Sequence, residues 1–359
     1  MKRIAAMLTM LCLLLSGCSS WMNGSYYSVV PHTEPSNQKE KPTISVSDNA
    51  QLRNALISLV DSGAENGVIY MENMQGDTIS QDVRAVVQDV CKYHPFAVYA
   101  VEEIQYEIGA VSGKNAASVH ITYLQNRQHK DKIRYVEKPE QVKQIILGQL
   151  EACETGVVLF SNSENQVDFA QLAADCATEH PELVMEAPEV TVIRYPEEGE
   201  EQIVEVRFSY QSSRAELRSL QHRVAPVFQA AAQHVTGDWA EEEKAARLYG
   251  FLMDRFEYNI RTSITPAYSL LLHGVGDHRA FAMVYGALCR QSGVECQVVT
   301  GTRGGEPWTW NAVHIDGVYY YIDLLQSKEA DGFHMYTQEE MTDYVWDYSA
   351  YPVTVEENS

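Results

Sequence analysis

The chain is short of positive charge. Twenty-seven Lys and Arg stand against 49 Asp and Glu, which leaves a formal charge of −22 over 359 residues. A surface of that sign repels phosphate backbones and anionic headgroups, so the composition argues against nucleic acid and against electrostatic docking on an anionic bilayer. Cysteine is scarce too: there are 7, with no CxxC pair and none between Cys176 and Cys289. HExxH is also missing, and His273, Asp277, His278 and His314 lack the spacing of a ligand set, so neither metal nor cofactor is expected. Beyond Leu15 no apolar run is long enough to span a bilayer.

The one sustained apolar run stands at the start. Lys2-Arg3 followed by Ile4 to Leu15 reads as a charged n-region and a short h-region, and Leu15-Ser16-Gly17-Cys18 resembles a bacterial lipobox with Cys18 as the lipidated residue. Residues 1–17 are then a signal peptide, and the mature chain has 359 − 17 = 342 residues and a formal charge of −22 − 2 = −24. Residues 18–43 carry Pro31, Pro35 and Pro42 among Ser, Asn and charged residues and read as a tether. The expected address is the extracytoplasmic face of a bacterial cell membrane, held through lipid on Cys18. Cys91, Cys153, Cys176, Cys289 and Cys296 remain after processing, an odd number. Most of them read as buried apolar side chains, with a Cys289–Cys296 bridge across a helix–strand turn as the alternative.

The middle of the chain repeats itself with a period between 180 − 94 = 86 and 142 − 52 = 90 residues. Leu52, Ala55, Leu56 and Val60 line one helical face; Val142, Ile145, Ile146 and Leu150 line another. Each is followed by a glycine-led apolar strand, Gly67-Val68-Ile69-Tyr70 or Gly156-Val157-Val158-Leu159. A second helix follows and stops at His94-Pro95 or His180-Pro181, because proline disfavours helix in the residue before it. Alternating strands Val119–Tyr123 and Val206–Tyr210 complete the pattern. Residues 44–135 and 136–235 are therefore expected to form two tandem α/β repeats. The acidic run Glu197-Glu198-Gly199-Glu200-Glu201 reads as a hairpin turn between two strands.

The last part, residues 236–359, carries the chemistry-bearing pattern. Gly274-Val275-Gly276-Asp277-His278 opens a helical run through Phe281-Ala282, Val284, Tyr285 and Leu288. Trp308-Thr309-Trp310-Asn311 and Tyr319-Tyr320-Tyr321-Ile322-Asp323 follow on strands. This order resembles the transglutaminase-like superfamily, in which a Gly-x-Gly-x-Cys turn opens the central helix, the next strands carry His-Ala-Trp-Asn, and a Trp-Tyr-x-x-Asp follows. The resemblance implies an α+β domain of the papain-like cysteine protease fold. It places His278 on the family's cysteine, Trp308 on its histidine and Asp323 on its aspartate, with Asp277, Trp310 and Asn311 as cleft residues.

Those replacements matter because the family's chemistry is acid–base chemistry. A thiolate is favoured at a helix N-terminus, an imidazole takes its proton, and a carboxylate fixes the imidazole's tautomer. His278 supplies no thiolate, and an indole accepts no proton. The cysteine has not slipped in register, since Cys289 lies eleven residues on, roughly 16 Å along the helix at ~1.5 Å per residue. Three readings follow: an inactive domain kept as a peptide-, protein- or cell-wall-binding or scaffolding module, an amidase or peptidase using non-standard residues, and a structural surface spacer.

Overall fold

The computed structural model describes residues 43–72, 74, 78–162, 167–259, 267–330 and 332–350. Residues 1–17, Cys18, nearly all of the tether and the end from Tyr351 lie outside them.

Strand Thr43–Val46 (β1) leads into helix Asn49–Asp61 (α1). The helix starts where the Asp48 carboxylate accepts the Gln51 N–H at 2.8 Å, and it buries Leu52, Ala55, Leu56, Leu59 and Val60 along one stripe. Asn66–Met71 (β2), Ile79–Tyr93 (α2), Pro95–Ala100 (α3) and the hairpin Val101–Val111 (β3) with Lys114–Tyr123 (β4) complete the first unit. Its strand order is β1-β2-β4-β3, with β1 parallel to β2 and the other pairs antiparallel.

The second unit runs through Arg134–Tyr135 (β5), Pro139–Glu151 (α4), Gly156–Asn162 (β6), Phe169–Glu179 (α5), Glu189–Tyr195 (β7) and Glu201–Ser209 (β8). Its order is β5-β6-β8-β7, with one parallel pair at the same edge and antiparallel pairs elsewhere. Arg134 and Tyr135 thus join the second sheet, beside Leu159 and Phe160, although a sequence boundary at 136 leaves them in the first unit. A two-residue strand has too little alternation to show its partner. His94 and His180 both sit at helix C-termini, but only His94-Pro95 starts a further helix.

The two units are lashed together by Arg127. Its guanidinium pairs with Glu205 at 2.9 Å, donates to the Tyr99 carbonyl at 3.0 Å, and lies 4.6 Å from the Tyr99 ring centre and 5.3 Å from that of Tyr195. Ile203 of β8 is buried in the first unit's core, and Val158, Phe160 and Tyr195 pack against it, so the second sheet contributes to that core.

The C-terminal part comprises Arg214–Ala232 (α6), Glu241–Arg255 (α7), Glu257–Tyr258 (β9), Ala267–His273 (α8), Val275–Gly276 (β10), His278–Gln291 (α9), Glu295–Arg303 (β11), Glu306–Ile315 (β12), Val318–Ile322 (β13), Leu324–Glu329 (α10) and Tyr344–Val345 (β14). The sheet has the order β13-β12-β11-β14 and is antiparallel throughout. Helix α9 is the centre of the core: all ten residues from Ala280 to Cys289 are buried, as expected of a helix enclosed on every side. Tyr285 donates to the Ala245 carbonyl of α7 at 2.9 Å, and Asn311 donates to the Ala282 carbonyl at 2.9 Å, which pins α9 to β12. Helix α6 shares this core through Leu217, Val224, Val227 and Phe228, so the sequence boundary at 236 falls too late. Its apolar stripe is visible in the sequence, but not which core receives it.

The fold is mixed α+β. No described helix is long and apolar enough to cross a membrane.

Candidate functional site

The site is built where the glycine turn meets α9. Gly274 has φ +75°, a left-handed conformation that side chains resist, and a Cβ on Gly276 would approach Ala280 and Leu270 to 3.0 Å. These two positions bring the chain through β10 into Asp277, whose carboxylate caps α9 by accepting the Ala280 N–H at 2.9 Å. His278 is the first helical residue, on the position expected from the motif.

Its ring is held on two sides. It stacks on Trp308 with 4.2 Å between ring centres and 20° between planes. The Thr309 N–H donates to its Nδ1 at 3.1 Å. That amide is available because β13 ends at Ile322, opposite Asn311, and leaves this edge of β12 unpaired. With Nδ1 accepting, the proton belongs on Nε2 and the imidazole is neutral. Burial also lowers the His278 pKa below its ordinary 6.5, with Arg279 adding to the effect and the Asp277 and Asp323 carboxylates opposing it.

Trp308 carries the chain of contacts onward. Its Nε1–H donates to Asp323 Oδ2 at 2.7 Å. Asp323 is 2% exposed and fully occupied. Oδ2 also accepts the Tyr344 hydroxyl at 2.6 Å and faces Arg303 at 3.5 Å, while Oδ1 caps α10 by accepting the amides of Leu325 and Gln326 at 3.0 and 3.2 Å. Burial and the Asp323 charge push the Tyr344 pKa up, which keeps that hydroxyl a donor. The Arg303 guanidinium lies 5.4 Å from the Trp308 ring centre.

The three positions expected from sequence, His278, Trp308 and Asp323, are therefore brought together. The indole N–H faces the carboxylate as a donor, but its nitrogen has no lone pair for a proton. The His278 lone pair that could attack an electrophile is already engaged by a backbone amide. Cys289 and Cys296, both free and at 0% and 2% exposure, lie in the core around α9.

Trp310 and Asn311, expected to line a cleft, do not. Trp310 is 1% exposed and packs edge-on against Tyr344 and Trp346 with centroid distances of 5.0 and 5.4 Å. Asn311, at 0%, spends its amide on the helix–strand tie. Strand alternation puts each on one buried face of β12, leaving no side open to a ligand. Asp277 differs, because it borders a cavity of about 760 Å³ between the second unit and the start of α9. Val184, Met185, Glu186, Arg279 and Met283 are among its walls. Among the described residues no group of three or more His, Cys, Asp or Glu converges as a metal site requires, and His314 instead pairs with Glu295 at 3.0 Å.

Three participants escape the sequence: Tyr344, Arg303 and Thr309. The pairing of β14 with β11 places Tyr344 opposite Arg303, and nothing local in either segment announces that long-range contact.

A shift of His278 toward the neutral form has a consequence for stability. Its folded pKa is lowered, so its contribution is present above about 6.5, the ordinary value, and is lost as pH falls through the folded pKa. Protonation also puts a second N–H against the Thr309 amide. The melting temperature of the wild type should therefore fall more steeply between pH 7 and 5 than that of His278→Gln. Parallel melting curves for the two proteins would show that the ring is not held neutral by its surroundings.

Residues 229–347 match the family description Transglutaminase-like superfamily, so the chain carries a transglutaminase-like domain there. Among solved structures, a TGase aligns with 60% of this chain and 62% of its own length, at 10% identity and TM-score 0.27. The chain thus spans less than two thirds of that protein. A proposed cysteine protease from Cytophaga hutchinsonii aligns with 44% of this chain and 70% of its own, at 12% identity and TM-score 0.26. For a proposed protease from Parabacteroides distasonis the figures are 61%, 35%, 10% and 0.23. No curated protein matches the chain.

Proposed function

We propose that the chain is a lipid-anchored extracytoplasmic protein whose transglutaminase-like domain no longer performs the family's chemistry and serves as a binding or scaffolding module for a peptide or protein. The observation that carries this reading is the chain of contacts from the Thr309 amide to His278 Nδ1, from His278 to the Trp308 ring, and from Trp308 Nε1 to Asp323 at 2.7 Å. The His278 Nδ1 lone pair, the Trp308 N–H and both Asp323 oxygens are each already engaged. An enzyme would need one lone pair left over for substrate or proton.

The cavity beside Asp277 supports binding in place of turnover. Its volume of about 760 Å³ falls within the ~300–1,000 Å³ range of ligand pockets. Its walls come from two parts of the chain, Val184 and Met185 from the second α/β unit and Arg279 and Met283 from α9. A ligand there would be sensed by both. The two α/β units, alike in strand order, are proposed to be copies of one fold that support this surface.

Purified protein should give no amide or peptide hydrolysis and no glutamine–amine crosslinking. Turnover that disappears in His278→Ala would overturn the reading and favour an enzyme with non-standard residues.

A further inference from the structure

Positive charge is scarce in this chain, yet it is not evenly spread. Five of the 27 basic residues, Arg127, Lys130, Lys132, Arg134 and Lys138, fall within a stretch of twelve. Two of them are neutralised, Arg127 by Glu205 at 2.9 Å and Lys130 by Asp61 at 2.8 Å. Lys132 and Arg134 are exposed and make no ion pair with a described residue. Both line a groove of about 590 Å³ at the end of the β6–β8 pair, together with Arg207, Gln149, Thr155 and Ser209.

The groove is rich in donors: three cations, a side-chain amide and two hydroxyls. Its one carboxylate is Glu205, and that group is already engaged by both Arg127 and Arg207, the latter at 2.8 Å. Of the carboxylates that adjoin its walls in sequence, Glu154 is paired with Arg214 at 2.7 Å, and Asp131 stands beside Lys132. At physiological ionic strength charges more than about 8 Å away are largely screened. We infer that this groove binds a polyanion with closely spaced phosphate groups. The guanidinium fork of Arg134 matches phosphate oxygens in pairs, Lys132 adds a point charge, and Arg207, whose Nε and Nη2 are held by Glu205 Oε1 at 2.9 and 2.8 Å, keeps Nη1 for a further contact. The inference is independent of the proposed function, because every wall residue belongs to the second α/β unit or to the segment leading into it.

The test uses the full chain in nonionic detergent, with linear polyphosphate as the probe. Wild type should bind it with an affinity that falls as salt rises. Lys132→Glu/Arg134→Glu should weaken binding at least tenfold. Lys92→Glu/Arg223→Glu makes the same change in net charge at exposed positions elsewhere on the protein, and should weaken it less than twofold. Glycerol phosphate, the headgroup chemistry of an anionic lipid, and polyglutamate should each bind at least tenfold more weakly than polyphosphate. The inference is overturned by an absence of polyphosphate binding, by equal losses in the two double variants, or by equal binding of either comparison ligand. Far-ultraviolet circular dichroism of the variants separates lost binding from lost fold.

Discussion

Asp323→Ala should cost the C-terminal domain about 3–5 kcal/mol, the range for removing one partner from a buried charged network. The carboxylate is 2% exposed and holds five groups: the Trp308 indole, the Tyr344 hydroxyl, Arg303 and two amides at the start of α10. Alanine would leave the Trp308 indole and the two α10 amides without their acceptor, each carrying a desolvation penalty of about 1–3 kcal/mol, and would also remove a helix cap, while Tyr344 keeps Gln326 Oε1 at 2.6 Å and Arg303 keeps Glu329 at 3.4 Å. Asp323→Asn keeps an oxygen for the amides and should lose less. The readout is tryptophan fluorescence during thermal or denaturant unfolding. Four of the five tryptophans, Trp239, Trp308, Trp310 and Trp346, lie within residues 229–347 and only Trp21 lies outside, so a Trp21→Phe background makes the signal report this domain. A loss below about 1 kcal/mol would mean that the carboxylate is not the keystone its contacts imply.

The second large effect concerns attachment. The full chain should pellet with membranes and incorporate a fatty-acid label, whereas a chain made from residue 18 onward with Cys18→Ser should remain soluble and unlabelled. The mature sequence is acidic, its one basic cluster, Arg127 to Lys138, has Arg127 and Lys130 already ion-paired, and the described helices include no membrane span. Membrane association should therefore fall from nearly complete to nearly absent. A leaderless Cys18→Ser chain that still pellets would point to a protein partner as the anchor.

Much of the candidate site is legible in the sequence because its signals are local. Gly274 and Gly276 announce a turn that only small residues can make. Asp277 before an apolar helical run announces a cap, and Trp308 on β12 and Asp323 just after β13 fall at a spacing that one short hairpin brings together. What the sequence hides is equally physical. Trp310 and Asn311 look like site residues because they adjoin Trp308, yet alternation along β12 and the packing of two layers bury both. Tyr344 reaches Asp323 only through the β11–β14 pairing, and α6 could pack on either of two cores. In the middle of the chain, helical stripes and glycine-led strands foretell the element order of each unit. The brief β5 is assigned only by its neighbour in space.

We propose that a transglutaminase-like geometry survives at positions 278, 308 and 323 while two of its three chemical roles have been replaced. The most direct test is the alkylation rate at position 278 near pH 6.5, mapped by peptide mass, in His278→Cys and in His278→Cys/Trp308→His. A thiol at the start of α9 gains from the helix dipole, and an imidazole in the Trp308 position would stand between that thiol and the Asp323 carboxylate. The double variant should then react roughly fivefold faster or more, since a larger thiolate fraction outweighs the lower nucleophilicity of a more acidic thiol. Equal rates in the two variants would contradict the claim, because position 308 would then not be the place from which a base can act.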